Sequence, residues 1–159
     1  LYEWLQLSFS IKRPALYIFI GLVYIAVSFG CCLLIRTHYP VQYIVAFFFM
    51  VAFSDMGAYL FGKLIGGPKM AKGISPKKTW SGFAGAVISP ALVGVAFSSM
   101  EFGFSQGYFL ALFALLGMVL GMVGQAGDLV VSFIKRQAGA KDTGDIIPGH
   151  GGVLDRIDA

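Results

Sequence analysis

The chain has 159 residues, 57% of them hydrophobic and 13% charged, with a net charge of +4 and a mean hydropathy of +0.78. An ordinary soluble domain carries about 25% charged residues, and a soluble globule of this size could not hide so much apolar side chain. Intrinsic disorder, collagen-like repeats and a disulfide scaffold are excluded by the same composition, leaving a single integral membrane domain over residues 1–159.

The chain opens on Leu1 with neither a basic n-region nor a small-residue cleavage site, so further sequence upstream is expected. The first long apolar run, Pro14 to Ile35, is uncharged, and its leading Pro suits a first helical turn. Cys31 and Cys32 are neighbours within it and say nothing about redox compartment, because adjacent helical residues point apart. A second run, Pro40 to Gly62, has Asp55 as its one charge. Trp80 to Ser99 and Ser105 to Gly127 are both uncharged. Each run can cross a hydrocarbon core of roughly 30 Å, which takes about 20 helical residues. Backbone groups in lipid must be satisfied within the segment, so the expected fold is all-α and polytopic, with about four transmembrane helices.

Alternating four spans puts 11 of the 12 Lys and Arg on one side, with Arg36 alone opposite. By the positive-inside rule that side is the cytoplasm. It holds the two polar segments, Lys63 to Thr79 and Asp128 to Ala159. The first has five Lys and no acid. Such a loop is commonly a topogenic element near anionic lipid. Its stretch Ser75-Pro-Lys77-Lys78-Thr79, set at a helix start, also suits phosphate oxygens, since free N–H groups point outward there. Gly57 to Leu64 imitates a P-loop but ends in Leu where the metal-binding hydroxyl is required, and it lies in a helical run.

Asp55 lies within a span, where a carboxylate costs roughly 2.5–3.5 kcal/mol on insertion scales. A helix–helix hydrogen bond to a nearby Ser or Tyr would account for it. A polar cavity opening to the cytoplasm near Lys63 accounts for it better. In the fourth span Gly117, Gly121, Gly124 and Gly127 form a smooth stripe, which for the upper glycines predicts close helix packing. Below it Asp128, Ser132, Lys135 and Arg136 fall at i, i+4, i+7 and i+8 and share one helical face.

The last segment carries Lys141-Asp142, then Pro148-Gly-His150-Gly151-Gly152, then Asp155-Arg156-Ile-Asp158. The glycines let backbone approach a ligand closely, and Asp155 and Asp158 offer hard oxygen ligands. Mg²⁺ takes one or two carboxylates and leaves its other positions to water and phosphates, while Lys and Arg offset the remaining charge. Carboxylates interleaved with cations and tight glycine turns are what a metal–nucleotide site requires.

The ordered positions from Ser132 to Asp158, including Ser132-Phe-Ile-Lys-Arg136, Lys141-Asp142, Gly144, Pro148, His150-Gly-Gly152, Asp155-Arg156 and Asp158, resemble the signature of the phosphatidate cytidylyltransferases (CDP-diacylglycerol synthases). Ser54-Asp55-Met-Gly-Ala-Tyr59, Gly62-Lys63 and Ser75-Pro-Lys-Lys-Thr-Trp80 resemble a second block of that family. The resemblance implies transfer of CMP from CTP to phosphatidate for phospholipid biosynthesis, at the cytoplasmic face of a bacterial inner membrane. It implies Mg²⁺, with a monovalent cation as a second ion, and a homodimer among the assemblies. No nucleic acid is implicated.

Carried over by position, Asp128 and Asp155 would be metal ligands, with Asp142 and Asp158 as further candidates. Lys135, Arg136, Lys141 and Arg156 would act on phosphates in catalysis. Ser132, Ser75, Lys77, Lys78, Thr79, Asp55, His150, Gly151 and Gly152 would bind substrate. The family's chains are longer, with helices before this segment and another after Asp158. Ser81 stands where many members have a longer acidic or amide side chain. A polyprenol or phytol kinase could share a CTP-like site, a transporter would explain Asp55 and the glycine stripe, and a membrane anchor would leave the ordered charges unexplained.

Overall fold

The computed structural model describes residues 14–71, 73–103 and 106–139. In chain order these form α1 (Pro14–His38), α2 (Val41–Leu64), β1 (Lys69–Ala71), β2 (Ser75–Thr79), α3 (Trp80–Phe102) and α4 (Gly107–Gln137). All four helices are long and apolar enough to cross a membrane. Each expected span lies on one of them, and α4 continues ten residues beyond Gly127. Its charged continuation is therefore helical, as the spacing of Asp128, Ser132, Lys135 and Arg136 requires.

The polar segment between α2 and α3 is more ordered than a loop. Gly66 and Gly67, with φ of +65° and +102°, turn the chain out of α2. β1 and β2 then pair antiparallel, with Lys69 opposite Thr79, Ala71 opposite Ser75 and an irregularity between them. This hairpin is the β element among the described residues of an otherwise helical chain.

Contacts divide the chain into two compact units. One contains, among the described residues, α1 and the polar end of α4 from Asp128 onward. There the Tyr17 hydroxyl donates to Gln137 Oε1 at 2.9 Å. Gly139, at φ +70°, ends α4 and donates its N–H to the Arg136 carbonyl.

The other unit runs from Val41 to Gly127. Its helices touch through small residues. A Cβ on Gly85 would collide with the Gly57 carbonyl and the Phe61 side chain, and one on Gly82 would meet the Ala58 carbonyl at 2.8 Å. α4 lies on α3 in the same manner: a Cβ on Gly117 would strike the Pro90 carbonyl, and one on Gly121 the Ala86 carbonyl. The glycine stripe packs as expected there, since without a hydrophobic driving force between helices in lipid, they gain by close backbone approach. Gly124 and Gly127 have nothing described within 4 Å of a built Cβ.

Pro90 lies inside α3. It has no N–H to give the carbonyl four residues back, that of Ala86. The Ser54 hydroxyl on α2 donates to that carbonyl at 2.9 Å. At the far end of the unit the rings of Tyr43, Phe97, Phe113, Phe102 and Phe109 cluster, with Phe102 stacked on Phe109 at 4.3 Å.

Candidate active site

Within the unit Val41–Gly127, the candidate phosphate residues lie on β2 and its junction with α3. On β2 Lys77 is exposed and Lys78 half-buried. Lys78 Nζ donates to the backbone carbonyl of Gln125 on α4 at 3.3 Å. Ser75 is half-buried opposite Ala71.

Thr79 is buried and extended, with φ −118° and ψ 157°, and its hydroxyl accepts from the Gly82 N–H at 3.1 Å. That hydroxyl caps α3, which fixes where the hairpin ends. Ser81 lies 3.0 Å from the same hydroxyl and donates to the Gly66 carbonyl, tying the helix start to the turn after α2. A short hydroxyl suffices for that contact.

Asp55 is exposed on α2 beside the buried Ser54. An apolar groove of about 570 Å³ lies between α2 and α3, and its lining includes Met56 and Gly57 but not Asp55. The expected polar cavity around Asp55 does not coincide with it. One turn beyond Asp55, Tyr59 meets Lys63: Lys63 Nζ donates to the Tyr59 hydroxyl at 3.2 Å and sits 5.4 Å from the ring centroid.

In the other unit, Asp128, Ser132 and Lys135 are half-buried and Arg136 exposed on the last turns of α4. The Ser132 hydroxyl donates to Asp128 Oδ1 at 3.3 Å. Lys135 and Arg136 occupy the final turn, where the helix dipole favours cations. A carboxylate with a neighbouring hydroxyl is a hard oxygen donor set, which suits Mg²⁺ better than a softer metal. No group of three or more His, Cys, Asp or Glu gathers among the described residues. Mg²⁺ held by one or two carboxylates, water and substrate phosphate does not need one.

Lys141, Asp142, His150, Gly151, Gly152, Asp155, Arg156 and Asp158 lie outside the described residues. Two contributors escaped the sequence reading. Gln125 contributes its backbone carbonyl to Lys78, a group every residue carries, so its side chain gave no signal of that contact. Ser54 had no signal either, because its role depends on which carbonyl Pro90 exposes.

The chain matches the model of the Cytidylyltransferase family over residues 4–159. It is similar to a phosphatidate cytidylyltransferase of Rickettsia bellii, 35% identical over 99% of this chain and 68% of the relative. One from Rickettsia felis is 36% identical over 99% of this chain and 70% of its own length. One from Brucella suis is 42% identical over 87% of this chain, which spans half of that relative's length. No solved structure matches the chain. With the family model covering nearly every residue, the chain belongs to the cytidylyltransferase family.

Proposed function

We propose that the protein transfers CMP from CTP to phosphatidate, forming CDP-diacylglycerol and pyrophosphate in phospholipid synthesis. The observation that carries this reading is the match to relatives bearing that activity in their names, at 35–42% identity over 87–99% of the chain. The geometry is compatible with it. Membrane-length helices end in polar structure on both described candidate blocks, the β1–β2 hairpin and the last turns of α4.

In the reaction, a phosphate oxygen of phosphatidate attacks the α-phosphorus of CTP. The new P–O bond forms as the bond to the β-phosphate oxygen breaks, and pyrophosphate leaves with the electron pair. The nucleophile is already anionic, so the demand on the protein is to bring two polyanions together and offset charge on the leaving group. Lys77, Lys135 and Arg136 are among the described cations suited to hold phosphates, and the Lys78–Gln125 contact fixes the strand that presents Lys77. Asp128, oriented by Ser132, is the described carboxylate suited to Mg²⁺. Bound Mg²⁺ would neutralise triphosphate charge in the transition state.

The excess of Lys and Arg in the polar segments supports a cytoplasmic placement for them, and the bacterial relatives support the inner membrane. The test is incubation of the full-length protein in liposomes with phosphatidate and CTP labelled either in the cytosine or in the γ-phosphate. Cytosine label entering lipid, dependent on Mg²⁺, is expected. γ-Phosphate label entering lipid would make the protein a CTP-dependent kinase instead.

A further inference from the structure

We propose that the apolar groove between α2 and α3 holds one acyl chain of the lipid substrate, and that Lys63 receives the phosphate of that lipid at the groove's end. The inference rests on the reading of phosphatidate as substrate.

The groove is walled by Phe49, Phe53, Leu60 and Phe61 of α2 and by Leu92 and Ala96 of α3. Gly57 and Ser89 also line it, where the two helices approach most closely. From Phe49 to Phe61 it follows α2 for about 18 Å at the helical rise of 1.5 Å per residue. Both walls belong to helices long and apolar enough to span the membrane, and Phe49, Phe53, Leu60 and Leu92 are exposed, as a groove open to hydrocarbon requires. A concave strip of that length and about 570 Å³ matches an extended acyl chain.

What lies at the groove's end distinguishes substrate from bulk lipid. Lys63 is one turn beyond Leu60, exposed, and held against Tyr59. Gly62, next to the groove residue Phe61, packs against the α3 cap: its built Cβ would lie 3.1 Å from Thr79 Oγ1. Thr79 ends β2, the strand that carries Lys77 and Lys78. A lipid in the groove therefore places its phosphate where the basic hairpin begins. That segment, Lys63 to Thr79, contains no acid. A lipid phosphate complements that charge, whereas an apolar helix face would leave it unmatched.

The test uses the full-length protein in phosphatidylcholine vesicles with phosphatidate carrying a diazirine near the end of one acyl chain. After illumination, adducts are expected on the α2 segment 49–61 or the α3 segment 89–96, suppressed by unlabelled phosphatidate and not by extra phosphatidylcholine. Lys63→Gln should weaken that preference. Adducts spread evenly over other lipid-exposed helix faces, or suppressed alike by both lipids, would show bulk solvation and overturn the proposal. No adduct in the groove would show that protein covers it, with the same consequence.

Ala96→Trp shortens the groove. The ratio of kcat/KM for dipalmitoyl over dioctanoyl phosphatidate should fall about tenfold, the equivalent of roughly two lost methylene contacts. An unchanged ratio counts against the groove. If no lipid accepts CMP, the proposed function falls, while the cross-linking still reports on the groove independently.

Discussion

Ser54 on α2 donates to the carbonyl of Ala86 on α3, the carbonyl that Pro90 leaves without a helical partner. An unsatisfied carbonyl in hydrocarbon is costly, and a hydroxyl from a neighbouring helix is a standard way to satisfy it. The proline and the serine thus work together to lock α2 to α3. The hairpin that carries Lys77 and Lys78 hangs between those two helices.

Ser54→Ala should therefore destabilise the protein by about 1–2 kcal/mol, the cost of leaving a buried acceptor unpaired. Pro90→Ala restores an N–H to the Ala86 carbonyl but opens a cavity at a fully buried site. In the double variant the combined loss should be smaller than the sum, because the restored N–H replaces the lost hydroxyl. Thermal unfolding in detergent of all four proteins measures the coupling. Strict additivity would mean that the Ser54 bond does not compensate for Pro90.

Ser98 offers the contrast. It is fully buried, and its hydroxyl has no hydrogen-bond partner among the described residues. Ser98→Ala removes an unsatisfied polar atom, so the same unfolding assay should show no loss, or a gain of up to about 1 kcal/mol. A loss as large as that of Ser54→Ala would reveal a partner outside the described residues.

The glycine stripe should divide in function along its length. A Cβ at Gly121 meets the Ala86 carbonyl, whereas at Gly124 it meets nothing described. Gly121→Ala should cost about 1–3 kcal/mol by overpacking, and Gly124→Ala should leave stability unchanged or slightly raised. Detergent unfolding midpoints of the two variants decide; equal losses would show that α4 packs uniformly.

The helices were legible because lipid imposes length and apolarity on every span, so four uncharged or nearly uncharged runs located α1 to α4. The helical end of α4 was legible through the spacing of Asp128, Ser132, Lys135 and Arg136. Close packing at Gly117 and Gly121 was legible too, since small residues at that spacing have few other uses. The hairpin was not. Its strands are three and five residues long, Pro76 lies in one of them, and lysines mask any alternation of polarity. Thr79 read as a substrate-binding hydroxyl, and its second task, accepting the Gly82 N–H as the cap of α3, depends on where the helix starts. The different settings of Lys77 and Lys78 depend on which face of β2 meets Gln125, a tertiary fact with no local signature.

Orientation can be tested at Lys77 and Arg156, the latter outside the described residues. With 11 of 12 Lys and Arg assigned to one side, cysteines at both positions should react with an impermeant thiol reagent only from the cytoplasmic side. Cys31 and Cys32 must first be replaced, since both are free thiols. Labelling of either introduced cysteine from outside intact cells would reverse the topology.

Asp128 and Ser132 yield the sharpest test of the active-site assignment. They sit one helical turn apart with the hydroxyl donating to Oδ1 at 3.3 Å, longer than the usual 2.7–2.8 Å for such a bond. Ser132 thus orients the carboxylate through a neutral hydroxyl. Asp128→Asn keeps the shape and one oxygen but removes the charge, so CMP transfer should fall more than about 100-fold, the loss of roughly 3 kcal/mol of transition-state stabilisation. Ser132→Ala, which removes only the orienting donor, should cost about tenfold and raise the Mg²⁺ concentration needed for half-maximal rate. Because both residues would act through one ion, the double variant should be hardly slower than Asp128→Asn alone. Asp155→Asn, at a position outside the described residues, should match the Asp128→Asn loss if both carboxylates share that ion. Turnover is measured for each variant across a Mg²⁺ titration, with membrane insertion and unfolding temperature as controls. Near-normal turnover and an unchanged Mg²⁺ requirement in Asp128→Asn would remove Asp128 from the site.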